Sequence, residues 1–215
     1  MVSPFNQWMG RTHETHNSKL EILMRIIAGE FRGRRLAAVK GRIRPTSDRV
    51  REAIFSVLGP AVVEARVLDL FAGTGALSLE ALSRGAGHAV LVEDHPTALN
   101  ILRRNIKDLG LESRTRVLAL PVAKALKKLA GWGEQFSLVF LDPPYERGLA
   151  LKTLTALQSF GLLLPEAKLI AEHSQREALP ELVGRLTLIQ SRRYGDTQVA
   201  FYEIRENPEK QELSC

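Results

Sequence analysis

The chain has 215 residues, of which 45% are hydrophobic and 25% charged, and its formal net charge is +6. This composition is typical of a soluble protein with one well-formed core, and no apolar run approaches the roughly 20 residues of a membrane-spanning helix. The only cysteine, Cys215, excludes a disulfide within the chain and argues against a thiol nucleophile. With no apolar signal-peptide segment at the N-terminus, the sequence predicts a cytoplasmic protein.

The positive charge is concentrated in one segment. Between Met24 and Arg51 there are nine basic and two acidic residues, so this segment carries +7 and the rest of the chain −1. Such a local surplus predicts contact with a polyanion, with a solvated basic face as the alternative. The arginines predicted to make this contact are Arg25, Arg32, Arg34, Arg35, Arg42, Arg44, Arg49 and Arg51.

The first quarter of the chain divides into two parts. Residues 1–23 are polar and aperiodic, which predicts a flexible extension. Residues 24–60 are interpreted as a basic module with short strands, followed by a helix. That helix is expected to begin at Thr46 or Ser47, both good N-caps, and to end at Gly59-Pro60.

From residue 61 to residue 206 strands and helices alternate. Strands are predicted at 67–71, 89–92, 116–120, 137–141 and 168–172, and helices at 76–84, 97–109, 122–129 and 150–160. A weak helix at 177–183, strands at 186–191 and 198–204, and a polar tail at 207–215 follow. Alternation of this kind predicts an α/β fold: a mostly parallel seven-stranded sheet with helices on both faces and an antiparallel C-terminal strand pair.

A glycine turn follows the first strand of this sheet, in Asp69-Leu70-Phe71-Ala72-Gly73-Thr74-Gly75. Open α/β sheets bind ligands at the carboxyl ends of their strands. Ser78 replaces the third glycine of the dinucleotide fingerprint, and Asp69 would repel a pyrophosphate but accept the amine of S-adenosylmethionine. The alternative is that Asp69 only caps the helix. The predicted cofactor contacts here are Asp69, Phe71, Ala72, Gly73, Thr74 and Gly75.

The second strand ends in Glu93-Asp94. A carboxylate at this place can accept hydrogen bonds from both hydroxyls of a ribose. Glu93 follows the strand directly and is the favoured ligand. Asp94 is also a candidate, and capping of the next helix is its alternative role.

The most informative string is Asp142-Pro143-Pro144-Tyr145, at the end of the fourth strand. Each proline fixes φ and removes an N–H group, so backbone carbonyls are left as acceptors. An amine-bearing base could stack on Tyr145 and donate its two hydrogens to the Asp142 carboxylate and the Pro143 carbonyl. All four residues are therefore predicted to be catalytic, with a strand-end turn as the alternative.

Together these motifs resemble class I S-adenosylmethionine-dependent methyltransferases that modify exocyclic amines. More narrowly, the chain resembles the RsmD family, bacterial guanine-N2 methyltransferases of small-subunit (16S) ribosomal RNA. The likeness runs from residue 24 to residue 204. It includes the segments Met24–Leu36, Arg44–Glu52, Leu68–Gly75, Leu79–Gly85, the Asp142 string and Arg193–Thr197.

The resemblance implies a Rossmann-like fold, S-adenosylmethionine as cofactor and ribosomal RNA within the assembling small subunit as partner. It also implies a monomer that needs neither metal nor membrane. In one respect the chain departs from the family, since Leu120-Pro121-Val122-Ala123 lacks the polar residue that holds adenine in many relatives. We therefore expect Val122 and Ala123 to contact the adenine through backbone groups and apolar packing.

The residues alone leave other functions open. Methylation of adenine N6, of cytosine N4 or of a protein glutamine would use a similar site. An inactive RNA-binding assembly factor and, more remotely, a nicotinamide dehydrogenase are the alternatives from other classes. Only the family resemblance selects guanine N2.

Overall fold

The computed structural model describes residues 24–38, 47–144 and 148–204. The predicted extension at 1–23 and tail at 207–215, together with Arg42, Arg44 and Tyr145, lie outside these ranges. Within the described residues, none of the helices is long and apolar enough to cross a membrane.

The described chain forms ten strands and five α-helices. The strands are β1 Met24–Arg25, β2 Arg35–Leu36, β3 Arg66–Asp69, β4 His88–Val92, β5 Thr115–Leu118, β6 Phe136–Leu141, β7 Leu163–Ser174, β8 Leu182–Val183, β9 Leu186–Tyr194 and β10 Thr197–Ile204. The helices are α1 Asp48–Leu58, α2 Ala76–Ser83, α3 Pro96–Leu109, α4 Val122–Gly131 and α5 Leu149–Ser159.

The main sheet has the strand order β5-β4-β3-β6-β7-β10-β9-β8. Strands β3 to β7 pair in parallel, whereas β10 is antiparallel to both β7 and β9. The chain moves outward from β3 to β5 and then returns to β6 on the other side of β3. The strand order therefore reverses between β3 and β6, and a ligand crevice is expected at the carboxyl ends of these two strands.

Two hydrophobic clusters cover the two faces of the sheet. Side chains alternate between faces along each strand, so Val67 and Leu138 join one cluster and Leu68 and Val139 the other. Helices α1, α2 and α3 contribute to the first cluster, and α4 and α5 contribute to the second. The predicted class I α/β architecture with helices on both faces is confirmed.

The N-terminal residues pack on the first of these faces. β1 and β2 pair antiparallel, and Met24, Ile26 and Leu36 belong to the same cluster as α1 and the sheet. The predicted boundary near residue 60 stays a prediction, since the segments on its two sides share one core.

Local capping chemistry explains the start of α1. The hydroxyl of Ser47 accepts a hydrogen bond from the Val50 N–H at 3.3 Å, and Asp48 supplies a negative charge in the first turn. The predicted helix start at Thr46 or Ser47 is therefore confirmed.

The weak helix predicted at 177–183 is wrong. Leu182–Val183 forms the short strand β8, which pairs antiparallel with β9 and adds an eighth strand to the seven predicted. Pro180 interrupts helical hydrogen bonding just before it, and its carbonyl accepts the Tyr202 hydroxyl at 2.7 Å.

Candidate active site

The acid at the end of β3 is buried and serves the fold around the glycine turn. Asp69 is 2% exposed, and its Oδ2 accepts the Ser78 hydroxyl at 2.7 Å. The pKa of Asp69 is raised to about 7, mainly by burial and to a smaller extent by nearby Glu93, although the Ser78 hydrogen bond opposes the shift. The serine at the place of the third fingerprint glycine thus ties α2 to β3. Binding of a cofactor amine by Asp69 stays a prediction.

Gly75 allows the close packing of this turn. It has φ +84°, and a Cβ atom there would lie 2.5 Å from Cδ1 of Leu102. The turn is also held from α3, where Asn105 is 1% exposed and its Nδ2 donates to the Thr74 carbonyl at 2.9 Å. Gly75 is therefore needed to pack α2 against α3, in addition to its predicted place at the cofactor.

Glu93 joins the ends of β3 and β4. Its Oε2 accepts the Gly73 N–H at 2.8 Å, and its Oε1 accepts the N–H groups of Asp94 and His95 at 3.0 and 2.8 Å. Three backbone donors fix the carboxylate in one orientation at the strand ends, and Oε2, which accepts only one of them, can still accept a further hydrogen bond. This geometry suits the predicted ribose ligand.

A cavity of about 410 Å³ opens beside Glu93. It is lined by Leu70, Phe71, Val92, Glu93, Asp94, Leu120, Pro121, Val122, Ala123, Leu126, Leu149, Lys152, Thr153 and Ala156. Five of the ten predicted cofactor residues, Phe71, Glu93, Asp94, Val122 and Ala123, share this lining. Asp69, Ala72, Gly73, Thr74 and Gly75 do not line it; Gly73 reaches it only through its hydrogen bond to Glu93.

An adenine bound in this cavity would contact mainly apolar side chains. Val122 begins α4, so the N–H groups of Val122 and Ala123 have no acceptor within the helix, whereas those of Lys124 and Ala125 donate to the Pro121 carbonyl. The stretch from Leu120 to Ala123 thus offers apolar packing and backbone donors, and its contact with adenine stays a prediction.

Asp142, Pro143 and Pro144 follow directly from β6, next to β3. Asp142 is half-buried, Pro143 buried and Pro144 exposed. Because β6 and β3 flank the point where the strand order reverses, the Asp142 string and the glycine turn meet at the same edge of the sheet. Tyr145 lies outside the described residues, so its stacking role stays a prediction.

Of the eight predicted polyanion-binding arginines, the six that lie within the described residues separate into two groups. Arg25, Arg32, Arg34, Arg35 and Arg49 are exposed, as a binding surface requires.

Arg51 does not fit that prediction because it is 0% exposed. Its Nη2 donates to the Arg25 carbonyl at 2.8 Å and to the Asp48 carboxylate at 2.7 Å. Arg51 therefore joins α1 to β1 and does not reach a ligand on the surface.

Comparison with known proteins gives one family. The family model described as "Conserved hypothetical protein 95" matches residues 24–203. The chain is 38% identical over 181 residues to ribosomal RNA small subunit methyltransferase D of Escherichia coli K12, covering 84% of this chain and 89% of the relative. It is 34% identical over 193 residues to the protein of the same name from Haemophilus influenzae, covering 88% and 97%. The chain belongs to the RsmD family.

A solved structure agrees with this assignment. The yhhF protein of Escherichia coli superimposes with a TM-score of 0.76 at 37% identity, covering 86% of this chain and 99% of that one. The RsmD-family match begins at residue 24, where β1 also begins.

Two parts of this RsmD-family site were missed by sequence reasoning. Leu149, Lys152, Thr153 and Ala156 of α5 line the cavity, and no local motif marks them. Asn105 could have been found, because it is a polar residue within the apolar stripe of α3.

Proposed function

We propose that this chain transfers a methyl group from S-adenosylmethionine to the exocyclic N2 amine of a guanine in small-subunit (16S) ribosomal RNA. The observation that carries this proposal is the meeting of the Asp142 string and the Glu93 cavity at one edge of the sheet. Membership of the RsmD family supports the choice of RNA and of base.

The cavity suits the adenosine part of the cofactor. Its volume of about 410 Å³ lies in the usual range for small-molecule sites. Its walls are mostly apolar, and Oε2 of the fixed Glu93 carboxylate would accept a ribose hydroxyl. When bound, S-adenosylmethionine supplies an electrophilic methyl group attached to sulfur.

Asp142 and Pro143 would orient the amine that receives this group. The N2 lone pair is delocalised into the guanine ring and is a weak nucleophile. If the Asp142 carboxylate and the Pro143 carbonyl each accept one N2 hydrogen, the nitrogen becomes more pyramidal and its lone pair is directed at the methyl carbon. Catalysis would then come from positioning and electrostatics, without a covalent intermediate on the protein.

The target guanine must leave its stack to reach this edge, at a cost of a few kcal/mol. Stacking on Tyr145 would offset about 1–3 kcal/mol of this cost. The exposed arginines of the N-terminal module would bind phosphates of the same RNA. We further propose that the substrate is RNA in the assembling subunit, and that the enzyme acts as a cytoplasmic monomer.

The test is nucleoside analysis after transfer of a labelled methyl group. The protein is incubated with methyl-labelled S-adenosylmethionine and unmodified small-subunit RNA or particles, and the digested nucleosides are separated. We expect label in N2-methylguanosine at one position.

Each other outcome corrects a different part of the proposal. Label in N6-methyladenosine or N4-methylcytidine would confirm methyltransferase activity and reject guanine as the target base. Cofactor binding without label on RNA or particles would reject the substrate and favour a binding role.

A further inference from the structure

A second carboxylate lies next to Asp142 on the neighbouring strand. In the parallel pairing of β6 with β7, Leu141 is opposite Ala171 in the last pair of the register, and Asp142 and Glu172 are the residues that come next in the chain. Phe140 and Ile170, one pair earlier in register, both pack on the face that α1, α2 and α3 cover. Because side chains alternate between faces within a strand, Glu172 of β7 returns to that same face, on which its β10 partner Val199 also packs.

Glu172 is held on a rigid part of the fold. It lies within β7, directly after the last residue paired with β6 and opposite Val199 of β10, and it is 7% exposed. Its backbone is fixed by a strand that pairs with β10 and not by a loop, which makes its position precise.

Residues of β7, β9 and β10 continue the surface of the sheet beyond Glu172. Ser174 is opposite Thr197 on β10, and Thr197 is opposite Tyr194 on β9. Tyr194 packs against the same hydrophobic cluster as α1. The Arg193–Thr197 string, to which the proposed chemistry gives no role, thus forms one side of the region around Asp142 and Glu172.

Guanine alone among the amine-bearing bases has a ring N–H beside its exocyclic amine. At the corresponding ring nitrogen, adenine and cytosine present a lone pair. Two neighbouring carboxylates are both acceptors and therefore match the paired donors N1–H and N2–H of guanine. The same carboxylates would repel the lone pair of adenine or cytosine.

We propose that Glu172 accepts the N1–H of the target guanine while Asp142 holds its N2 amine, so that Glu172 selects guanine. This inference rests on the proposed guanine-N2 activity. It assigns to Glu172 a role in specificity and not in binding the cofactor, whose cavity Glu172 does not line.

The experiment replaces the methylated guanine by 2-aminopurine, which keeps the amine but has a lone pair at N1. Small-subunit particles are reconstituted with RNA carrying either base, and single-turnover methylation is measured for wild type and Glu172→Gln. A site that accepts a hydrogen bond from an N–H group strongly rejects an analogue that lacks this group. The wild type should therefore methylate guanine at least about a hundredfold faster than 2-aminopurine. The amide of Glu172→Gln can donate to the N1 lone pair, so its preference should fall below about tenfold.

Glu203→Gln is the matched control. Glu203 also lies in the antiparallel β7–β10 pair, opposite Lys168, to which it is ion-paired. Its replacement removes the same charge away from Asp142 and should leave the guanine preference at the wild-type value. Thermal unfolding and cofactor affinity of Glu172→Gln show that the comparison is made on a folded protein.

The outcomes separate the two proposals. If Glu172→Gln methylates both bases with the same preference for guanine as the wild type, whether or not both rates fall, the proposed role of Glu172 is rejected. The guanine-N2 activity is not affected by that outcome. Failure of the wild-type protein to methylate the guanine particles overturns both, at a step that precedes any comparison of variants.

Discussion

Asp69 illustrates how burial changes the behaviour of a single carboxyl group. Its pKa is raised to about 7, mainly by desolvation, so the folded protein keeps a proton that the unfolded chain releases near its ordinary pKa of 3.8. The stabilisation linked to this proton is complete below pH 3.8 and is lost as the pH rises through about 7.

We therefore expect Asp69→Asn to remove this pH dependence. The free energy of unfolding is measured by urea titration at about pH 5 and about pH 8. Between these two pH values the wild type should lose a few kcal/mol more of this free energy than Asp69→Asn. Asp94→Asn changes an exposed carboxylate in the next strand-end loop and should give a much smaller difference. Parallel pH profiles for wild type and Asp69→Asn would contradict the raised pKa.

Asp142 is expected to act on turnover and not on cofactor affinity, because it does not line the cavity. Asp142→Ala should lower the single-turnover rate by about a hundredfold or more, since a positioned acceptor is lost. Asp142→Asn keeps one carbonyl acceptor, so its single-turnover rate should lie between those of the wild type and Asp142→Ala. Calorimetry with the cofactor supplies the second reading: loss of cofactor binding by a folded Asp142→Ala protein would reject this role.

At the scale of elements, α2 holds the N-terminal segment in place. Glu80 is 0% exposed, and its carboxylate accepts the N–H groups of Ile27 and Ala28 at 2.7 and 3.0 Å. Ser83 adds a hydrogen bond from the Phe31 N–H to its hydroxyl at 3.0 Å and one from the Glu30 N–H to its carbonyl at 2.8 Å. The basic module is therefore fixed to the helix that follows the glycine turn.

Gly29 and Gly33 offer a matched test of this docking. Both have positive φ, +85° and +81°, but a Cβ on Gly29 would lie 1.8 Å from the Ser83 carbonyl oxygen, whereas a Cβ on Gly33 meets nothing within 4 Å. Gly33→Ala should cost about 1–2 kcal/mol of stability through backbone strain alone. Gly29→Ala should cost clearly more and should increase hydrogen exchange at the Glu30 N–H.

Urea unfolding of the two variants checks the stability difference. Equal losses would mean that the contact with Ser83 does not fix the module.

At the scale of the whole molecule, the basic segment and the cavity are expected to act separately. Arg32→Ala/Arg35→Ala removes two exposed charges of the module and should weaken RNA binding. It should also reduce the slope of log affinity against log salt by nearly one for each phosphate that the variant no longer neutralises. Cofactor affinity should not change.

Lys127→Ala/Lys128→Ala on α4 is the control, since it removes two exposed charges from the helix on the opposite face of the sheet. Filter binding at a series of salt concentrations measures the RNA affinity of both double variants. A weaker cofactor interaction with unchanged RNA binding in the Arg32/Arg35 variant would contradict the assignment.

The sequence determined those features whose chemistry is local. The alternation of apolar strands and helices predicted the sheet, Ser47 predicted the start of α1, and the strings around Gly73, Glu93 and Asp142 predicted which strand ends carry the site. In each case the informative residues are neighbours in the chain, so spacing alone carries the signal.

The tertiary structure decided what depends on contacts between distant segments. It buried Arg51 against β1, turned the predicted helix at 177–183 into β8 by giving it β9 as a partner, and made α5 a wall of the cavity. It also placed Asp142 and Glu172 directly after the paired residues Leu141 and Ala171, through the register of β6 and β7. Burial and strand register depend on how the whole chain packs, which is why these four outcomes could not be read from residue types and local spacing.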